Sequence, residues 1–143
     1  ILEKVQLTAE ILGLQMKEAL ERARYLLTKV GHDGIEDNYH YKLSGGMQKI
    51  LEVARGMMIR PEILICDEPP VGLAPIIARE VYDTIERLKA DGLTILLVDQ
   101  NVREAIRIAD HIYVLEVGQN KVSGTRSEFE TNLHDMIKDW LQI

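Results

Sequence analysis

Two acids stand side by side where an apolar run stops: Ile63-Leu64-Ile65-Cys66 leads into Asp67-Glu68-Pro69. Adjacent carboxylates at the end of a strand suit one metal partner and one base. Asp67 could hold Mg²⁺ through water while Glu68 orients an attacking water for phosphoryl transfer. The plainer alternative is a buried strand that ends in two solvated acids. Upstream, Leu43-Ser44-Gly45-Gly46-Met47-Gln48-Lys49 joins a capping hydroxyl to glycines that let a ligand approach the backbone closely. A helix that opens there presents free amides at the positive end of its dipole, which favours an anion. Taken alone, the same residues equally describe a serine-capped helix after a glycine turn.

The elements that must carry these residues follow from periodicity. Met16, Leu20, Ala23, Leu27 and Val30 recur at spacings of three and four, so a helix runs from Gln15 to Val30, with Gly31 as its C-terminal stop. His32 to Tyr41 reads as a polar loop. Ile50, Val53, Ala54, Met57 and Met58 give one apolar side to a helix from Ser44 to Ile59, which Arg60-Pro61 ends. Four apolar residues from Ile63 suit a strand buried on both faces. Pro69 and Pro70 prevent its continuation, and Pro75 is placed to open a helix reaching Ala90, with Ile77, Val81, Ile85 and Leu88 inward. Thr94 to Val98 is expected to be a second buried strand, again followed by polar residues, Asp99, Gln100 and Asn101, of which Asp99 or Asn101 caps a helix over 102–109. A third strand, His111 to Leu115, precedes a turn around Gly118-Gln119-Asn120 and a short strand near Lys121-Val122-Ser123. Ser127 and Glu130 have capping-box spacing before a last amphipathic helix that carries Phe129, Leu133, Ile137, Trp140 and Leu141. Strands alternating with helices imply an α/β fold with a parallel sheet, so the ends at Asp67 and Asp99 point the same way.

Composition narrows the possible partners. At 143 residues the chain has the size of one domain. With 28% charged and 46% hydrophobic residues it is ordinary for a globular protein. A formal net charge of −6 disfavours direct nucleic-acid binding and attraction to an anionic membrane surface. One cysteine, Cys66, excludes an internal disulfide. No apolar run approaches the length of a membrane span. The four histidines, His32, His40, His111 and His134, are too scattered in sequence for ligand spacing. The chain begins at Ile1, which leads to the expectation that it is a piece of something longer.

In combination, these motifs resemble a known family. Leu43-Ser44-Gly45-Gly46-Met47-Gln48 looks like the signature motif of ABC-transporter ATPases, and Ile63 to Glu68 like their Walker B strand with its catalytic glutamate. Val71 to Ile77, with Thr94 to Asn101, is similar to the ATPase subunit of branched-chain amino-acid importers. The resemblance implies a P-loop NTPase-like parallel sheet with flanking helices. Residues 1–60 would be a helical subdomain ending in the signature helix, and 61–143 the C-terminal part of the RecA-like core. It implies ATP and Mg²⁺ as ligands. Ser44, Gly45, Gly46 and Gln48 would contact the γ-phosphate of ATP bound by the opposite protomer of a head-to-tail dimer. Asp67 would support Mg²⁺ through water, Glu68 would polarise the hydrolytic water, and Val71 to Ala74 would cross the dimer seam. Gln100 falls where most of the superfamily has a switch histidine; an amide positions a phosphate or water and does not shuttle protons. The helical region would meet transmembrane permease subunits, placing the protein at the cytoplasmic face of the membrane.

Departures from the pattern are Pro70 in place of serine or threonine, Ala74 in place of aspartate, and Asp99 in place of glutamate. The sequence contains no G-x-x-x-x-G-K-[ST] loop and no Gly-Lys pair. The Walker A portion, whose amides and lysine hold the β- and γ-phosphates, is therefore expected from elsewhere, and negligible ATP binding from this chain alone. Other readings are a non-catalytic module derived from such an ATPase, or an ATPase of another branch such as lipid export. DNA-repair relatives fit the acidic balance poorly. Strands stripped of their neighbours are also expected to leave apolar surface and open edges.

Overall fold

The computed structural model describes residues 13, 15–31 and 43–131. Contacts divide the chain into two units, Ile1–Val98 and Asp99–Ile143.

In the first unit, α1 (Met16–Lys29) buries Ala19, Ala23, Leu26 and Leu27, with Val30 beyond them. The stripe is rotated from the expected one: Met16 is 43% exposed, and Ala19 and Leu26 take the inward positions. Gly31, at φ 78°, closes the helix by donating its N–H to the Thr28 carbonyl at 2.9 Å, a left-handed stop that glycine adopts without strain. Next, α2 (Gly45–Gly56) starts at the Ser44 cap and gives way to a 3₁₀ turn, Met57–Ile59, three residues earlier than expected. Arg22 of α1 holds that turn, its guanidinium donating to the Met57 carbonyl at 2.6 Å and to the Met58 carbonyl at 2.9 Å. Leu27, Leu43 and Leu51 form a small core with Met47 against it.

Strand β1 (Ile63–Asp67) pairs in parallel with β2 (Thr94–Val98), Ile63 opposite Thr94 and Asp67 opposite Val98. The crossover is α3 (Pro75–Ala90), with proline at its first position and Val81, Tyr82, Thr84, Ile85 and Leu88 buried. Both strands therefore end at one edge, as their alternation with helices implied. Burial on both faces does not hold for β1, and β2, also expected to be buried, alternates exposed and half-buried residues with none fully buried. Leu64 and Cys66 are buried, while Ile63 and Ile65 are 58% and 67% exposed. With Leu96 and Val98 of β2 also half exposed, one sheet face stays apolar and open, in line with the expected sticky surface.

In the second unit, α4 (Val102–Ile108) is capped by Asn101, whose side-chain oxygen accepts the Glu104 N–H at 3.4 Å. Strand β3 (His111–Glu116) pairs antiparallel with β4 (Gln119–Thr125), with an irregular register after Val114. The hairpin turn is Val117-Gly118, earlier than expected, and both residues have positive φ, the requirement of a tight two-residue hairpin turn. The following helix opens at residue 126, not at Ser127. The capping box is shifted accordingly: Glu128 accepts the Thr125 N–H at 2.6 Å and the Thr125 hydroxyl at 2.8 Å. Those bonds, the backbone one first, hold the Glu128 carboxyl below its usual value. The expected polar loop 32–41 and the residues Leu133, Ile137, Trp140 and Leu141 lie outside the described residues.

Candidate functional site

Ser44 has extended backbone (φ −62°, ψ 160°), and its Oγ accepts the Met47 N–H at 3.2 Å, so the hydroxyl caps α2 as its position in sequence suggests. No acidic residue occupies the first turn of this helix, leaving its positive end uncompensated by a local carboxylate. Gln48 donates its side-chain amide back to the Leu43 carbonyl at 3.2 Å, and its N–H meets the Ser44 carbonyl at 3.0 Å. The turn is thus fixed from both sides.

The two glycines differ. Gly45 is exposed; Gly46 is buried. A Cβ on Gly46 would lie 2.0 Å from Cγ2 of Ile77, in the first turn of α3, and one on Gly45 would lie 3.0 Å from Cδ2 of Leu73. Sequence reasoning assigned both glycines to ligand approach. At Gly46 the close neighbour is Ile77, so the absent side chain makes room for another helix of the same unit. Nothing in the sequence alone points to that pairing.

The acids occupy the edge where β1 stops. Asp67 is exposed and Glu68 half-buried. Glu68 has φ 43°, a left-handed conformation uncommon outside glycine. It is imposed from outside: the Glu68 N–H donates to the Val98 carbonyl at 2.8 Å, one step beyond the β1–β2 ladder, and the Glu68 carbonyl accepts the Val71 N–H at 3.1 Å. Buried Pro69 and Pro70 follow, and Leu73 N–H closes a second turn onto the Pro70 carbonyl at 3.1 Å. Strain of this kind persists only where the surroundings over-determine it, and it concentrates at functional sites. Burial pushes the Cys66 thiol up, which keeps it protonated and inert beside the acids.

The segment from Asp67 through the first turn of α3 therefore carries the acid pair at one end and, through Leu73 and Ile77, meets the Ser44-Gly45-Gly46 turn at the other. Asp67 offers one hard oxygen ligand. Among the described residues no group of three or more His, Cys, Asp or Glu could hold a metal ion. That donor set fits Mg²⁺, which is usually bound through one or two carboxylates together with substrate phosphates and water. Gln100 belongs to the second unit and is exposed there, between Asp99 and the Asn101 cap. Among the described residues no helix is long and apolar enough to cross a membrane.

Comparison with known proteins concerns the family and the fold. The family model described as ABC transporter matches residues 2–71. The chain is 42% identical over 90 residues to the high-affinity branched-chain amino acid transport ATP-binding protein BraG of Pseudomonas aeruginosa, covering 63% of this chain and 39% of BraG. It is 32% identical over 126 residues to the lipopolysaccharide export system ATP-binding protein LptB of Acidithiobacillus ferridurans, covering 88% of this chain and 52% of LptB. Its fold matches the solved structure of MJ1267, an ATP-binding cassette of an ABC transporter, with a TM-score of 0.78 at 30% identity, over 88% of this chain and 50% of that one. The chain thus spans about half the length, or less, of the proteins it matches.

Proposed function

We propose that this chain, which matches part of an ABC-transporter ATP-binding domain in fold and sequence, supplies the signature turn and the acid pair of an ATPase driving solute import. Ser44, Gly45, Gly46 and Gln48 contribute to a γ-phosphate site on the nucleotide of a second protomer, arranged head to tail. Asp67 holds Mg²⁺ through water, and Glu68 orients the attacking water. Gln100 hydrogen-bonds phosphate or water without taking a proton. When bound, Mg²⁺ neutralises charge on the β- and γ-phosphates. The phosphate cradle comes from a P-loop that this sequence does not contain.

One observation carries the reading: the serine-capped turn meets Leu73 of the loop that follows Asp67 and Glu68, and Ile77 of the helix which that loop enters. The two phosphate-handling elements are built into one unit. For the solute, the branched-chain amino acid transport named for BraG favours branched-chain amino acids, which the proposal extends to other hydrophobic ones, and Gln100 accords with that branch. Permease subunits at the cytoplasmic face of the membrane are the partners that such a role requires.

The test joins residues 1–143 behind the P-loop-bearing half of a branched-chain amino-acid importer ATPase. The hybrid is expected to hydrolyse ATP in a Mg²⁺-dependent way. Glu68→Gln should lower kcat by roughly 10²-fold or more while ATP still binds. A folded hybrid that binds ATP yet hydrolyses it equally well with Gln at position 68 would remove the proposed role of Glu68.

A further inference from the structure

We infer that Asp99 is a positioning residue that sets the direction of Gln100. Its carboxylate reaches across the next residue: Asp99 Oδ1 accepts the Asn101 N–H at 2.7 Å. This charge-assisted bond from residue i to the amide of i+2 closes an Asx turn whose middle residue is Gln100. From the other side, the Gln100 carbonyl accepts the Val102 N–H at 3.0 Å. Asn101 then fixes the start of α4 through the Glu104 N–H, and Glu104 is itself held by Arg107 Nε at 2.7 Å. Gln100 is thus flanked by two bonds that leave its backbone little freedom, and the root of its side chain is set with it.

Side-chain length explains why aspartate suits this position. The short carboxylate reaches the amide two residues on, whereas a glutamate would have to close a ring one methylene larger. An asparagine presents the same oxygen without the charge. The inference rests on the proposed role of Gln100 in handling phosphate or water, and adds the residue that makes an uncharged amide effective there. An amide that cannot exchange protons contributes only through placement, so error in placement is costly.

The experiment has two readouts. Hydrogen exchange at the Asn101 amide of this chain should be protected in wild type and Asp99→Asn, and faster in Asp99→Ala and Asp99→Glu. In the hybrid ATPase, Asp99→Ala should lower kcat roughly tenfold to a hundredfold, with KM for ATP within about twofold. Asp99→Asn should restore most of the rate. In a Gln100→Ala background, Asp99→Ala should cost nothing further. An Asp99→Ala loss that persists undiminished in that background, or an Asp99→Asn variant as slow as Asp99→Ala, would overturn the positioning role. So would an unchanged kcat in Asp99→Ala when Gln100→Ala is slow. If Gln100→Ala itself turns over normally, the reading of Gln100 fails, and the role of Asp99 fails with it.

Discussion

Replacing Gly46 by alanine isolates the packing on which the candidate site depends. The new Cβ would stand 2.0 Å from Ile77 Cγ2 and 3.6 Å from Ile77 Cβ. Carbon atoms rest about 3.5–4.0 Å apart, so the overlap is about 1.5–2 Å. Ile77 is β-branched and lies in the first turn of α3, where χ1 has one strongly preferred setting, so its methyl does not swing aside cheaply. Overpacking of this kind costs about 1–3 kcal/mol, against which alanine recovers at most about 1 kcal/mol of helix propensity. The net loss is about 1–2 kcal/mol, a shift of about 0.5–1 M in the urea midpoint. Urea melts of this chain followed by circular dichroism should show that shift for Gly46→Ala and little change for Gly45→Ala. At Gly45 the opposing atom, Leu73 Cδ2, is 3.0 Å away at the far end of a flexible side chain. Ile77→Ala vacates the contested space, so the double variant Gly46→Ala/Ile77→Ala should be no less stable than Ile77→Ala alone, a coupling of about 1–2 kcal/mol. Ile77→Val keeps Cγ2 and should give no rescue. A Gly46→Ala midpoint equal to wild type, or effects of Gly46→Ala and Ile77→Ala that simply add, would refute the proposed fit.

Three further outcomes can be checked independently. Arg22→Met leaves the Met57 and Met58 carbonyls without their forked donor and should cost about 1–2 kcal/mol; lysine should recover only part, because an ammonium lacks the fork. Glu128 has a depressed folded pKa, so its contribution is present above the ordinary value of 4.5 and is lost as pH falls through the folded value. The Thr125 amide should therefore exchange faster in Glu128→Gln at neutral pH, with the difference from wild type closing in acid. The open face of β1 and β2 should drive self-association, which sedimentation would detect, and Ile65→Thr with Leu96→Thr should reduce it.

Much of this fold can be read directly from the chain. The parallel pair β1–β2, the Pro75 helix start and the Ser44 cap follow from local patterns, because each is decided by residues adjacent in sequence. Tertiary partners are harder to read. The exposure of Ile63 and Ile65 depends on what lies over the sheet, and an apolar run does not report that. The identity of the residue facing Gly46 is likewise set by a contact between helices thirty residues apart. Of two misplacements, the capping box had a local signal that a rival masked, and the hairpin turn had none. Thr125-Arg126-Ser127-Glu128 has capping-box spacing as good as that of Ser127 and Glu130, and Val117 is an unexpected occupant of a left-handed turn position. For the candidate site, residue types single out Ser44, Asp67 and Glu68 as the proposed residues. The left-handed backbone of Glu68 and the Asp99 turn around Gln100 emerged only from hydrogen-bond geometry.

Mixing two dead hybrids probes the shared nucleotide site most directly. Ser44→Arg spoils the turn offered to a partner's ATP, and Glu68→Gln spoils hydrolysis of the protomer's own. In a head-to-tail dimer, a mixed pair regains one intact site, made from Glu68 of the first variant and Ser44 of the second. ATP turnover should therefore reappear on mixing, at up to about one quarter of the wild-type rate if protomers pair at random and the sites fire independently. Turnover that stays at the level of the separate variants, with exchange of protomers confirmed, would mean that Ser44 and Glu68 serve the same nucleotide within one chain.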